Sequence, residues 1–199
     1  MKKSLLILLL LFVTVSYAQE SKQVKDAKKF QQNLNKEFSS MEESPLTEKD
    51  LEEFDSLDFF PIDINFIVTA SLILHKDSEA FQMKTTTDRR PLYKLYATAN
   101  FELYGNNYSL EIYQNEKLLS PDYKDYLFLP FTDLSNGDSS YGGGRYIDLR
   151  PPKGNNIVID FNQAYNPHCA YNEKYSCPIP PKSNHLDIAI LAGVKNYEH

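Results

Sequence analysis

Between residues 93 and 105 the side chains alternate. Leu95, Ala97, Ala99, Phe101 and Leu103 fall on one face, and Asn100 and Glu102 on the other. A period of two marks a half-buried strand. Gly105-Asn106-Asn107 is a turn signal, and residues 108–114 return with Leu110 and Ile112 inward, which predicts a hairpin. Further short apolar or β-branched runs at 64–74, 80–87, 125–131, 145–149, 156–161 and 186–192 bring the count to eight strands, separated by Pro, Gly, Asn and Asp clusters. The N-terminal part follows a different period. Val24, Ala27, Phe30, Leu34 and Phe38 recur every three or four residues within 20–41, the stripe of an amphipathic helix. Ser44-Pro45 ends it, and Thr47 with Asp50 resembles the cap of a short second helix through Leu51 and Phe54.

The fold expected from these elements is mainly β: an antiparallel sandwich or partly closed barrel of about eight short strands, with one or two N-terminal helices on an edge or mouth. Three segments are expected: a signal peptide at 1–18, a helical segment at 19–58 and a β-rich domain at 59–199. The signal rests on Lys2 and Lys3, an apolar run from Leu5 to Val15, and small residues at Ser16 and Ala18, with cleavage after Ala18. That run falls short of the roughly 20 residues needed to cross a bilayer. The expected location is therefore periplasmic or secreted, with no membrane span once the signal is removed.

Processing changes the charge. The full chain of 199 residues carries −6; without Lys2 and Lys3, 19 basic residues face 27 acidic ones and the formal charge is −8. Nucleic acid and anionic lipid are poor partners for such a chain. The eight acids between Glu42 and Asp58 read as a solvated helical face. Both cysteines, Cys169 and Cys177, survive processing, and their spacing in an exported protein suggests a disulfide. His168 and His185 lie close in sequence, but seven residues between the cysteines do not match the paired spacing of structural zinc sites. Neither a metal nor a cofactor is expected.

Candidate chemistry gathers in two segments. Gly142–Gly144 are three of only seven glycines and precede Arg145, whose fork could hold an anion beside Tyr141 and Tyr146, or pair with Asp133 or Asp148 inside the fold. The second segment, 164–184, is irregular, holds four prolines and three tyrosines, and is too aromatic to read as disordered. Asp63, Asp133, Asp148 and Asp160 fall near predicted strand ends, and two carboxylates at suitable separation could hydrolyse a glycoside. Tyrosine is abundant, 14 residues against no tryptophan, and Tyr141, Tyr146, Tyr165, Tyr171 and Tyr175 could line a pocket or fill space beneath the loop.

Read in order, "FFPID" (59–63), "TTT" (85–87), "LFLPFTD" (127–133), "YGGGRYIDL" (141–149), "IDFNQAYNPHCAYNEKYSCPIPP" (159–181) and "AGVK" (192–195) resemble the signature of the domain-of-unknown-function 1684 family, from about Leu51 to Lys195. The resemblance implies no reaction and carries no catalytic residue over. His168 stands where a tyrosine is more often expected, which weighs against a metal or catalytic role for it. The expected function is binding of a small polar or anionic ligand in a cleft between the Gly142–Arg145 turn and the Cys169–Cys177 loop. Its candidate ligands are Arg145, Tyr141, Tyr146, Asp133, Asp160, Asn162 and Tyr171. Two alternatives stay open: a hydrolase acting on a carbohydrate or ester through Asp133 and Asp160, and an accessory or structural envelope protein. The sequence leaves the oligomeric state open.

Overall fold

A computed structural model describes residues 21–117 and 125–197. The amphipathic stripe forms α1 (Lys22–Phe38), whose first turn is capped by the Ser21 side chain accepting from the Val24 amide. A short α2 (Glu48–Glu53) follows, capped by Thr47, whose side chain accepts from the Asp50 amide as the sequence suggests. The strands are β1 (Ile67–Leu74), β2 (Phe81–Gln82), β3 (Leu92–Leu103), β4 (Asn106–Asn115), β5 (Leu127–Asp133), β6 (Arg145–Leu149), β7 (Asn156–Asp160) and β8 (His185–Leu186). They make one sheet in the order β6-β5-β4-β3-β1-β7, with β2 added to β3 and β8 to β5. The sheet is antiparallel apart from the short β5–β8 pairing and curls into a half-barrel, the partly closed form of the two expected.

The β3–β4 hairpin is the longest ladder, running from Tyr93↔Asn115 to Leu103↔Asn106 with a register shift beside Tyr96. Its two-residue loop is Tyr104-Gly105, with φ of +50° and +77°. Positive φ at both central positions is the turn whose twist matches a hairpin. Beyond the register shift the predicted inward residues are buried, among them Ala99, Phe101, Leu110 and Ile112, and with Leu127, Leu129, Phe131, Ile147 and Ile159 they fill the inside of the half-barrel, whereas Leu95, before the shift, packs half-buried on the outer face.

Strand β5 differs from its neighbours. Leu127 to Phe131 are all buried, because one face meets the main core and the other meets Tyr93, Tyr113 and Tyr146. A continuous apolar run is what a strand covered on both faces should show. Its junction with β4 is thin, with Tyr113↔Phe128 the only paired position among the described residues. Asn184 spans the gap. Its buried amide accepts from the Glu111 amide at 2.8 Å and donates to the carbonyls of Glu111 and Pro130 at 2.8 and 2.6 Å.

Two predicted strands shrink. Residues 80–87 keep only Phe81–Gln82, and 186–192 keep only His185–Leu186. Residues 64–66 form a 3-10 turn rather than the start of β1. Helix α1 lies on a second core: Leu34 and Phe38 pack with Leu46, Leu57, Ala170, Tyr171 and Val194. The helix thus covers the irregular segment rather than the inside of the sheet. Among the described residues no helix is long and apolar enough to cross a membrane.

Candidate functional site

Arg145 opens β6 and its side chain is 0% exposed. Gly144 turns the chain immediately before it at φ +87°, where an added Cβ would meet the Phe131 carbonyl oxygen at 2.6 Å. Only glycine suits that close approach at positive φ. Nη2 donates to Asp133 Oδ2 at 2.9 Å and to the Ile190 carbonyl at 2.7 Å, while Nη1 donates to the Ala192 carbonyl at 2.5 Å. The guanidinium also lies 5.4 Å from the Phe131 ring centroid. Burial pulls the arginine pKa down, and the Asp133 charge opposes that shift. Asp133 is engaged on its other oxygen by the amides of Ser135 and Ile190. Of the two roles considered for Arg145, the structure shows the internal pairing, with Asp133.

Asp160 and Asn162 lie in a separate network. The Asp160 side chain accepts from the Asn162 amide and side chain and from Gln163, and Asn162 bonds both the amide and the carbonyl of Asp63. They fasten the 3-10 turn after β7 to the start of the β-rich domain. Tyr171 packs edge-on against Phe38 at 4.7 Å, within the core beneath α1. The seven candidate ligand residues are therefore not brought together: Arg145 and Asp133 form one buried unit, Asp160 and Asn162 a second, and Tyr171 belongs to the helix contact.

What the fold does assemble is a cleft of about 420 Å³ on the outer face of β3, β5 and β6, closed on one side by the cysteine loop. Tyr93, Tyr126, Tyr146, Tyr165 and Tyr175 line it, with Arg89 and His168 among the other lining residues. Several of these hydroxyls are tied down. Tyr126 and Tyr165 donate to Asp148 Oδ1 at 2.8 and 2.6 Å, and Tyr146 donates to the Pro178 carbonyl. Desolvation raises the Asp148 carboxyl pKa, and those two tyrosine hydroxyls oppose the rise. Desolvation and, for Tyr126 and Tyr165, the Asp148 charge hold the phenols of Tyr126, Tyr146 and Tyr165 above the ordinary value, so they act as donors. Burial pulls the His168 pKa down despite the attraction of Asp148, which favours a neutral imidazole.

Of the five tyrosines singled out in the sequence, Tyr146, Tyr165 and Tyr175 line the cleft. Tyr93, Tyr126 and Arg89 escaped sequence reasoning. Period-two alternation carries a signal for Tyr126: with Phe128, Tyr146 and Asp148 it occupies the positions opposite to the core residues Leu127, Leu129, Ile147 and Leu149.

The two cysteines expected to pair lie beside this cleft, in contact with each other. Both are free thiols, Cys177 buried and Cys169 half-buried, with the Cys169 amide donating to Cys177 Sγ at 3.1 Å. The Cys177 thiol hydrogen-bonds Cys169 and lowers its pKa to about 7; burial opposes this, while Tyr141 and Thr86 add to it. The same contact, with burial, pushes Cys177 far up. The "TTT" segment fixes the geometry: the Thr86 amide donates to the Cys177 carbonyl at 2.9 Å, and the Cys177 amide donates to Thr86 Oγ1 at 3.1 Å. Tyr141 thus serves the thiol pair rather than the cleft. Among the described residues no group of three or more His, Cys, Asp or Glu side chains is placed to hold a metal.

A half-barrel with an aromatic cleft beside a thiol pair describes the class of molecule. The chain belongs to the family described as "Protein of unknown function (DUF1684)", whose model matches residues 52–195. It is similar to the NMR structure of an uncharacterised protein of Haloarcula marismortui, with 34% identity and a TM-score of 0.68 over 86% of this chain and 93% of that one. No curated protein matches the chain significantly.

Proposed function

We propose that the protein is exported and that its tyrosine cleft binds a small polar or anionic ligand with a flat body. One observation carries this reading: the rings of Tyr126, Tyr146 and Tyr165 are fixed by hydrogen bonds from their hydroxyls, so their faces are set before a ligand arrives. Preset aromatic walls bind without the entropy loss of ordering flexible side chains, and a few polar groups then orient the ligand. Arg89 supplies a cation at the cleft, anchored by donating from Nε to Ser176 Oγ at 3.1 Å. In this reading the ligand sits in the tyrosine cleft and not at the Gly142–Arg145 turn, where Arg145 and Asp133 are both buried in their own ion pair. Catalysis by Asp133 and Asp160 finds no support, since the two belong to different structural networks.

Mass spectrometry of molecules released from protein purified from its native envelope tests the proposal. A small molecule should copurify, and Tyr175→Ala and Arg89→Ala should each weaken its rebinding by about tenfold, the loss expected for one well-placed contact. Rebinding unchanged in both variants would place the ligand elsewhere and end the reading.

A further inference from the structure

The thiol pair has a chemistry of its own, independent of any ligand in the cleft. Two cysteines eight positions apart are held in contact by a backbone amide that donates to one sulfur, and by Thr86, which grips the second cysteine through both main chain and side chain. Their surroundings are unequal. Cys169 is half-buried and meets the Tyr141 hydroxyl, whereas Cys177 is only 6% exposed. We propose that Cys169 and Cys177 form a reactive dithiol that exchanges with small-molecule disulfides, with Cys169 as the attacking sulfur and Cys177 as the resolving one.

With oxidised glutathione as the co-reactant, the Cys169 thiolate attacks one glutathione sulfur. A Cys169–glutathione disulfide forms and one glutathione thiolate leaves. Cys177 then gives its proton to solvent and attacks Cys169 Sγ, forming the Cys169–Cys177 bond and expelling the second glutathione thiolate. Two protein thiols lose two electrons, and one small disulfide gains them.

The two steps help each other. Before the first, Cys177 keeps its proton and donates it to Cys169, which lowers the pKa of Cys169 to about 7. An attacking thiol does best with a pKa near the ambient pH. After the first step Cys169 bears no charge, so the largest influence holding the proton on Cys177 is gone, and the positive charge of Arg89 favours its thiolate. Roles would reverse only if Cys177 were the more accessible and more acidic sulfur, and it is neither.

The fully reduced wild-type protein, given less than one equivalent of iodoacetamide at neutral pH and mapped by peptide mass, should carry label on Cys169 at least about tenfold more often than on Cys177, because the thiolate reacts and Cys169 is the more exposed and more acidic sulfur. The labelling rate should reach half its maximum near the pH at which Cys169 ionises, about 7. With oxidised glutathione, Cys177→Ser should accumulate a mixed disulfide at Cys169, and the wild type should pass to the internal disulfide. Equal labelling, or preference for Cys177, would overturn the assignment in wild-type protein whether or not the variant folds. A folded Cys177→Ser that takes no glutathione would overturn it too.

Discussion

Removing the Asp133 carboxylate strands a charge at the centre of the molecule. In Asp133→Ala the Arg145 guanidinium, 0% exposed, keeps its carbonyl acceptors but loses its counter-charge among the described residues, 2.9 Å away. Breaking a buried ion pair from one side typically destabilises by about 3–5 kcal/mol. The amides of Ser135 and Ile190 lose their acceptor as well, 2.8 and 3.0 Å from Asp133 Oδ1. An orphaned buried donor costs on the order of 1–3 kcal/mol, so the variant should lose about 4–6 kcal/mol after overlap between these effects. That approaches the whole stability of many domains, about 5–15 kcal/mol. The sharper expectation concerns the pair. Removing both charges in Asp133→Ala/Arg145→Met should cost less than the two single losses together, because no uncompensated ion remains. Urea unfolding followed by circular dichroism, or by tyrosine fluorescence since the chain has no tryptophan, measures all three variants. Singles that add to the double within about 0.5 kcal/mol would show that the two side chains act independently, and the account of Arg145 would fail.

Asn184→Ala should lose about 2–4 kcal/mol in the same unfolding assay, since three backbone groups across the β4–β5 gap lose their partner; a loss below about 0.5 kcal/mol would mean that the gap is held by other contacts. Gly144→Ala should reduce the melting temperature far more than Gly142→Ala, because its Cβ would sit 2.6 Å from the Phe131 oxygen at φ +87°, whereas at Gly142 the nearest atom is 3.7 Å away; equal melting temperatures would refute the packing argument. His168 has its pKa lowered by burial, so the unfolded chain binds its proton more readily and stability rises with pH. That contribution is present above about pH 6.5, the free value, and is lost as pH falls through the folded value, so His168→Gln should flatten the pH dependence of stability in that acidic window; an unchanged slope would remove His168 as its cause. The intact mass of protein recovered from the envelope should correspond to cleavage after Ala18, and a mass that retains residues 1–18 would contradict export by a cleaved signal.

The β3–β4 hairpin was legible because both its signals are local: alternation along each strand and a two-residue turn. Helix α1 and its stripe were legible for the same reason, and so was the Thr47 cap. The misjudged strand at 186–192 shows the limit. Leu186, Ile190 and Ala192 are buried as the alternation implies, yet beyond Leu186 no strand among the described residues lies alongside, and the carbonyls of Ile190 and Ala192 turn to a side chain some 45 positions earlier. Hydrophobic pattern reports burial, not which group satisfies the backbone. Asn184 is unreadable on the same ground, since nothing near it in sequence announces the gap it bridges. The cleft was half visible. The tyrosines of the irregular segment drew notice by their density, whereas Tyr93 and Tyr126 were absorbed into strands as ordinary β formers. Glycines beside a lone arginine suggested an exposed anion site, but the same residues serve a buried cation that needs close backbone approach.

The carbonyl cradle of Arg145 also imposes an order on the birth of the protein. Asp133 leaves the ribosome 12 residues ahead of Arg145, but the carbonyls of Ile190, Ala192 and Val194 emerge 45, 47 and 49 residues after it. A half-barrel assembled earlier in synthesis would enclose a cation with most of its acceptors not yet made, so the final stage of folding waits for the last few residues. The C-terminal stretch, which has almost no secondary structure of its own, becomes the keystone of the sheet. Chains that end before Ile190 should stay in the aggregation-prone, incompletely packed state that larger β proteins pass through. Any cleavage that trims the C-terminus to that point would then remove the protein, not merely shorten it.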